Sequence, residues 1–199
     1  MGTVKIYLAS ASPRRREIME KIGASVEVMV SDADENTDIT DPILLVGYLS
    51  KLKAESVFNR LRNDLAGQSF CVIGADTVVS LDGHIMGKPM DEEDAFKMLR
   101  DLSGRRHHVY TGVTVMMSDD DGAEKEVSFY EETGVDFCEM SDDEIRAYIA
   151  TKDPMDKAGA YGIQSYAAPF VSAISGDYYN VMGLPACRLY HELKNMGTL

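Results

Sequence analysis

Two long alternating runs, residues 105–117 and 127–140, face each other across the acidic loop Asp119-Asp120-Asp121-Gly122. A period of two sends successive side chains to opposite faces, which is the pattern of half-buried strands joined as a hairpin. Everywhere else, short apolar runs alternate with segments of helical period. A long antiparallel pair set into alternating strands and helices predicts an α/β protein with a mixed, curved sheet.

The remaining elements follow from their punctuation. Residues 4–9 read as a buried strand. Residues 10–23 read as a helix with Ser12 as N-cap, Pro13 in the first turn, Ile18, Met19 and Ile22 as its apolar stripe, and Gly23 as its stop. Residues 26–30 give a second strand. Asp41-Pro42 opens a helix to about residue 61, with Leu44, Leu45, Tyr48, Leu52 and Val57 expected to face inward. Residues 71–75 form an apolar strand that continues extended through 77–81 into an Asp82-Gly83 turn. Residues 91–102 read as a helix with acids in its first turn. Ser141 and Glu144 match a capping box at the start of another. Gly159, Gly162 and Pro169 mark a loop-rich stretch, followed by a strand at 170–174 and a last helix at 185–194. No repeat or long linker divides residues 1–199, so a single domain is expected.

A net charge of −13 argues against a broad nucleic-acid surface, because phosphate backbones select basic faces. It leaves room for a small anionic ligand, which needs only a local basic pocket. Cys71, Cys138 and Cys187 are few, odd in number and far apart, which suits a reducing compartment and neither a disulfide framework nor a zinc clamp. No apolar run approaches membrane-spanning length, and the N-terminus lacks the regions of a signal peptide. A cytoplasmic protein with no membrane contact is the expectation.

Four stretches carry candidate chemistry. Ser10-Ala11-Ser12-Pro13-Arg14-Arg15 puts hydroxyls and guanidinium groups at a strand-to-helix junction, where free N–H groups and the helix dipole favour anions. By itself it reads equally as an N-cap followed by a solvated basic turn. Gly74-Ala75-Asp76-Thr77 ends an apolar strand, the usual ligand position in α/β folds. Gly87-Lys88-Pro89 pins a cation on a short loop, Lys53 lies on a helix, and Glu35 sits in an acidic loop. Together they form the set that a Mg²⁺–triphosphate site requires: cations neutralise phosphate charge, and carboxylates hold the metal and orient water. In the stretch from Pro154 to Gln164, glycines permit close backbone approach and Gln164 offers a donor and an acceptor suited to a base edge. His107 and His108 fall on opposite strand faces, so a shared metal is not expected. The twelve methionines read as core filler. There is no GxxxxGK[ST] loop, HExxH, GxSxG or GxGxxG.

These segments together resemble the Maf family of nucleotide pyrophosphatases, historically called septum-formation inhibitors. The resemblance runs from Leu8-Ala9-Ser10-Ala11-Ser12-Pro13-Arg14-Arg15 to Gly183-Leu184-Pro185. It passes through Asp34-Glu35, Lys53-Ala54, Ile73-Gly74-Ala75-Asp76-Thr77, Gly87-Lys88-Pro89 and Leu102-Ser103-Gly104-Arg105 with His107. It continues through Asp156-Lys157-Ala158-Gly159, Tyr161-Gly162-Ile163-Gln164 and Gly176-Asp177-Tyr178-Tyr179-Asn180-Val181. It implies an inosine-triphosphatase-like α/β fold: an elongated mixed sheet flanked by helices, in two lobes with a central cleft.

The resemblance also implies hydrolysis of the α–β phosphoanhydride of a nucleoside triphosphate, dependent on Mg²⁺ or Mn²⁺. By motif position, Ser10, Arg14 and Arg15 would engage phosphates, with Lys53 and Lys88 assisting. Glu35 and Asp76 would coordinate metal or activate water, with Asp76 the expected proton acceptor. Arg14, Thr77 and Gln164 match the dTTP/UTP subgroup. A homodimer is implied as well. The acidic loop at 119–121 and the extended loop at 59–68 depart from the family pattern. Two other functions compete: a nucleotide-binding regulator of cell division, and a γ-phosphoryl transferase, which the missing phosphate loop disfavours.

Overall fold

The computed structural model describes residues 4–199; Met1 to Thr3, on which the expectation about the N-terminus partly falls, lie outside them. In chain order the elements are β1 (Lys5–Leu8), α1 (Pro13–Lys21), β2 (Val26–Val28), α2 (Pro42–Asp64), β3 (Phe70–Leu81) and β4 (His84–Met86). Then follow α3 (Glu92–Leu102), β5 (Arg106–Ser118), β6 (Glu124–Phe137), α4 (Asp142–Ala150), β7 (Val171–Ser175), α5 (Tyr178–Met182) and α6 (Ala186–Met196). Three short 3-10 turns lie between α4 and β7, in the Gly-rich stretch. One sheet runs in the order β2-β1-β3-β5-β6-β7, with β4 added to β3. β1 pairs in parallel with β2 and β3, and the other ladders are antiparallel. This is the mixed sheet that the sequence predicts.

Several local expectations hold in detail. Ser12 caps α1 through its side chain, with Pro13 at the first position, and Gly23 follows the helix with φ +82°. Ser141 and Glu144 make both hydrogen bonds of a capping box. Asp82 and Gly83 take positive φ at the β3–β4 turn, as a two-residue hairpin requires. His107 is buried while His108 is not, which places them on opposite faces. α5 has no counterpart in the sequence reading, because its single turn-and-a-half carries no periodic stripe.

The inward face of α2 is a correction. Leu44 and Tyr48 are 65% and 43% exposed, and Leu45 and Leu52 are only half-buried. The buried stripe is Val46, Leu49, Ser50, Ala54, Val57, Phe58 and Leu61. Glycines in the sheet set this phase. A Cβ on Gly74 would stand 2.2 Å from the Ser50 carbonyl oxygen, and one on Gly112 would stand 2.2 Å from that of Val46. The helix backbone therefore rests directly on β3 and β5 at Val46 and Ser50, and the larger Leu49, Phe58 and Leu61 fill the space beside these contacts.

The sheet separates two apolar layers. On one face, Tyr7, Phe70 and Val72 pack with Val57, Phe58 and Leu61 of α2. On the other, Leu8, Cys71, Ile73, Val79 and Val113 pack with Ile18 of α1, Leu99 of α3, Ile145 of α4 and Leu189 of α6. Burial pushes the Cys71 thiol up to about 12, so it is inert core filling.

Candidate functional site

The cavity that gathers the candidate residues lies where β3 lacks a neighbour. β1 pairs with β3 only as far as Leu8 and Ile73, and β4 joins the same edge from Val79. Between them residues 74–78 have no strand partner on that edge among the described residues. Parallel β1 turns away there into α1, and the loop after β4 closes the other side. The resulting cavity holds about 510 Å³ and is lined by Ser10, Arg14, Arg15, Glu35, Lys53, Asp76, Thr77, Lys88 and Gln164, together with Asp156 and Lys157. Every site residue read from the sequence thus lines one cavity.

At the sheet floor, the close seating of α2 on Gly74 carries Lys53 over Asp76. The Lys53 ammonium lies 2.6 Å from Asp76 Oδ1 and 2.8 Å from Glu35 Oε2. The side chains of Lys53 and Asp76 are only 12% and 14% exposed, whereas Glu35 is about half exposed. A single positive charge already sits between the two carboxylates. Among the described residues no third acid, histidine or cysteine joins them as a metal cluster. Two carboxylates are too few for an all-protein cage, but they would fit a hydrated cation such as Mg²⁺.

The paired arginines at the start of α1 go different ways. Arg15 is tied down: its Nε donates to the Gly183 carbonyl at 2.8 Å, one terminal nitrogen to Ser10 Oγ at 3.1 Å and the other to Thr77 Oγ1 at 3.0 Å. Burial lowers its guanidinium pKa, opposed by the attraction of Asp76. Arg14 reaches across the cavity to Asp156 at 3.4 Å. Asp156 also accepts from Lys157 at 2.7 Å; burial raises its pKa, but Lys157 and Arg14 outweigh that and hold it below the usual range. Lys88 is exposed and makes no ion pair among the described residues, on a loop anchored by the Gly159 N–H donating to the Gly87 carbonyl at 3.0 Å.

Gln164 is exposed at the cavity margin, and its neighbours are pinned. The Gly162 N–H donates to the Tyr148 hydroxyl, and the Ser165 hydroxyl donates to Asp153. Lys157 lies beneath this stretch, bonded to Asp153 and Asp156. Gly162 has no room for a Cβ, which would fall 2.7 Å from Lys157 Cε.

The sequence reading did not single out Asp156 and Lys157 as site residues, although they lie in the Gly-rich motif. Nor did it single out Gly183, which offers only a carbonyl. The available signal was a lysine following two acids, Asp153 and Asp156, directly before a glycine-rich run.

A family model described as Maf-like protein matches residues 5–196. The chain is 48% identical to a dTTP/UTP pyrophosphatase of Agathobacter rectalis, over 98% of each chain. It is 46% identical to a dTTP/UTP pyrophosphatase of Carboxydothermus hydrogenoformans, over 98% of this chain and all of that one (100%). A solved Ham1 protein of Staphylococcus aureus is 15% identical, with a TM-score of 0.46, covering 96% of this chain and 99% of that one.

Proposed function

The chain belongs to the Maf family, and from that premise we propose that it hydrolyses dTTP and UTP at the α–β phosphoanhydride, giving the monophosphate and pyrophosphate. The observation that carries the chemistry is the Lys53 ammonium held between Asp76 and Glu35, in a cavity that also collects Arg14, Arg15 and Lys88.

On this reading Arg15, held by three protein acceptors, presents its remaining N–H groups to the phosphate tail. Arg14 exchanges Asp156 for a phosphate oxygen, and Lys88 adds a mobile charge from the opposite wall. Ser10 keeps Arg15 in place. Glu35 and Asp76 would hold a divalent cation, Mg²⁺ or Mn²⁺. When bound, such a cation would polarise the phosphoryl oxygens and neutralise developing charge. Asp76, the more buried acid, orients and deprotonates the attacking water, and Lys53 fixes its carboxylate. Gln164 meets the O4 acceptor and N3–H donor of a pyrimidine. Thr77 lies on the substrate side of Arg15.

The reading extends to a cytoplasmic protein of one domain over residues 1–199, assembled as a homodimer, with nucleotide as its partner and neither nucleic acid nor membrane. No helix among the described residues is long and apolar enough to cross a bilayer.

Incubation with dTTP or UTP and Mg²⁺, with products resolved by ion-exchange chromatography, tests the activity. Equal amounts of monophosphate and pyrophosphate are expected; orthophosphate as the primary product would overturn the reading. Asp76→Asn should stay folded and lose turnover by at least about a hundredfold.

A further inference from the structure

Behind Thr77 lies a set of polar groups that the reaction does not use. Thr111 of β5, Thr133 of β6 and Asn180 of α5 are all fully buried. Burying polar groups is costly unless they are partnered; of this set's side-chain polar atoms only Asn180 Oδ1 lacks a partner among the described residues. Arg15 donates to Thr77 Oγ1 at 3.0 Å, Thr77 and Thr111 share a hydroxyl–hydroxyl bond of 2.9 Å, and Thr111 Oγ1 donates to the Asn180 carbonyl at 3.0 Å.

Donor counting gives the chain a direction. A carbonyl only accepts, so the single Thr111 proton goes to Asn180. The Thr77 hydroxyl also faces the Gly183 carbonyl at 3.5 Å, but Thr111 at 2.9 Å is the closer acceptor for its proton, and the Thr77 oxygen is left to accept from Arg15. Thr77 therefore offers substrate no proton while the chain stands.

The far end returns to the same guanidinium. Asn180 Nδ2 donates to the Val109 carbonyl at 3.0 Å and to Thr133 Oγ1 at 2.9 Å, and Thr133 bonds both the N–H and the carbonyl of Asp177. These contacts fix α5 and the turn that follows it, where Gly183 takes φ +110°. The Gly183 carbonyl is the acceptor of Arg15 Nε. Arg15 Nε is thus set by the segment that Thr111 fastens to the sheet, and one of its terminal nitrogens by Thr77 of β3, which Thr111 bonds directly.

We propose that Thr111 is a positioning residue that orients the Arg15 fork toward the triphosphate through Thr77 and through the α5–Gly183 turn. This rests on the reading that Arg15 binds substrate phosphate. Thr111→Val keeps the shape and deletes the relay, whereas Thr111→Ser keeps the hydroxyl.

Steady-state kinetics on dTTP, with thermal unfolding measured alongside, tests it in a mutant cycle with Arg15→Lys, which keeps the charge and loses the fork. Thr111→Val should lower kcat/KM by about 10- to 100-fold, the scale expected when a positioning group moves by a fraction of an ångström to an ångström. Thr111→Ser should recover to within about threefold of the parent, and in the Arg15→Lys background Thr111→Val should change kcat/KM by less than about twofold. An equal loss in both backgrounds, or no recovery with Ser, overturns the proposal. If Arg15→Lys itself leaves kcat/KM unchanged, the assignment of Arg15 fails instead. Should Thr111→Val not fold, Thr77→Val breaks the same chain from the half-buried end and must show the same silence in Arg15→Lys, or the proposal is overturned.

Discussion

Lys53 sits between the two acids proposed to hold a divalent cation, 2.6 Å from Asp76 and 2.8 Å from Glu35. Removing the ammonium leaves a largely buried carboxylate facing another acid. Lys53→Met should therefore destabilise the metal-free protein by about 1–3 kcal/mol. Added Mg²⁺ should return more melting temperature to the variant than to the parent. Calorimetry with and without Mg²⁺ reads this, and equal Mg²⁺ shifts would remove Lys53 from the metal position. Residue types at this site were legible in the sequence, but pairings were not. Lys53 and Asp76 come together only because a helix crosses a strand at Gly74. Arg14 and Arg15 look alike in sequence, yet the turn of about 100° between successive helical residues sends one to Asp156 and the other into the Thr77 wall. Thr111 was invisible for a related reason: a threonine in an alternating strand reads as ordinary β-former until its buried partners are known.

At the scale of elements, α2 is the piece whose seating decides the site. Val46 and Ser50 present backbone carbonyls to Gly112 and Gly74, close enough that neither glycine has room for a methyl group. Gly112→Ala should lift the helix, cost about 1–3 kcal/mol through overpacking, and reduce kcat/KM by about 10- to 100-fold as Lys53 leaves Asp76. Urea unfolding combined with kinetics checks both; a stable and fully active variant would mean that helix seating does not govern the site. This contact also explains why the inward face of α2 was misread. Apolar periodicity favours Leu44 and Tyr48, but glycines on two other elements, Gly74 of β3 and Gly112 of β5, far outside any helical window, turn the Val46 and Ser50 side of the helix to the sheet. Elements with local signals were read well. The capping box at Ser141, the Pro13 start of α1 and the β5–β6 hairpin each depend on neighbours within one turn or one loop.

For the molecule as a whole, acid stability should hinge on a neutral histidine under the cavity wall. His107 is fully buried, meets the Tyr161 hydroxyl at 2.9 Å, and has no partner for Nδ1 among the described residues; Tyr161 itself lines the cavity. Burial lowers the His107 pKa from 6.5 to about 4, with a smaller push from His108. The unfolded chain, with its ordinary imidazole, therefore takes up the proton first as pH falls. Stability from this group is complete above pH 6.5, declines as pH falls toward 4, and stops declining below that, when both forms are protonated. The difference is of order 3 kcal/mol, at about 1.4 kcal/mol per pH unit. Asp136, Asp153, Asp156 and Glu144 are held below their usual values, so their contribution is lost lower on the pH scale, as pH drops through the carboxylate range. The two effects therefore separate. Denaturant unfolding between pH 7 and about 4.5 should show the slope of one proton, and His107→Gln, which keeps a hydrogen-bonding side chain beside Tyr161 but does not titrate, should flatten it. Because Tyr161 forms part of the cavity wall, turnover should fall in the same window. A Gln variant with an unchanged slope would show that the proton goes elsewhere, and that the wall of the site is not what acid loosens first.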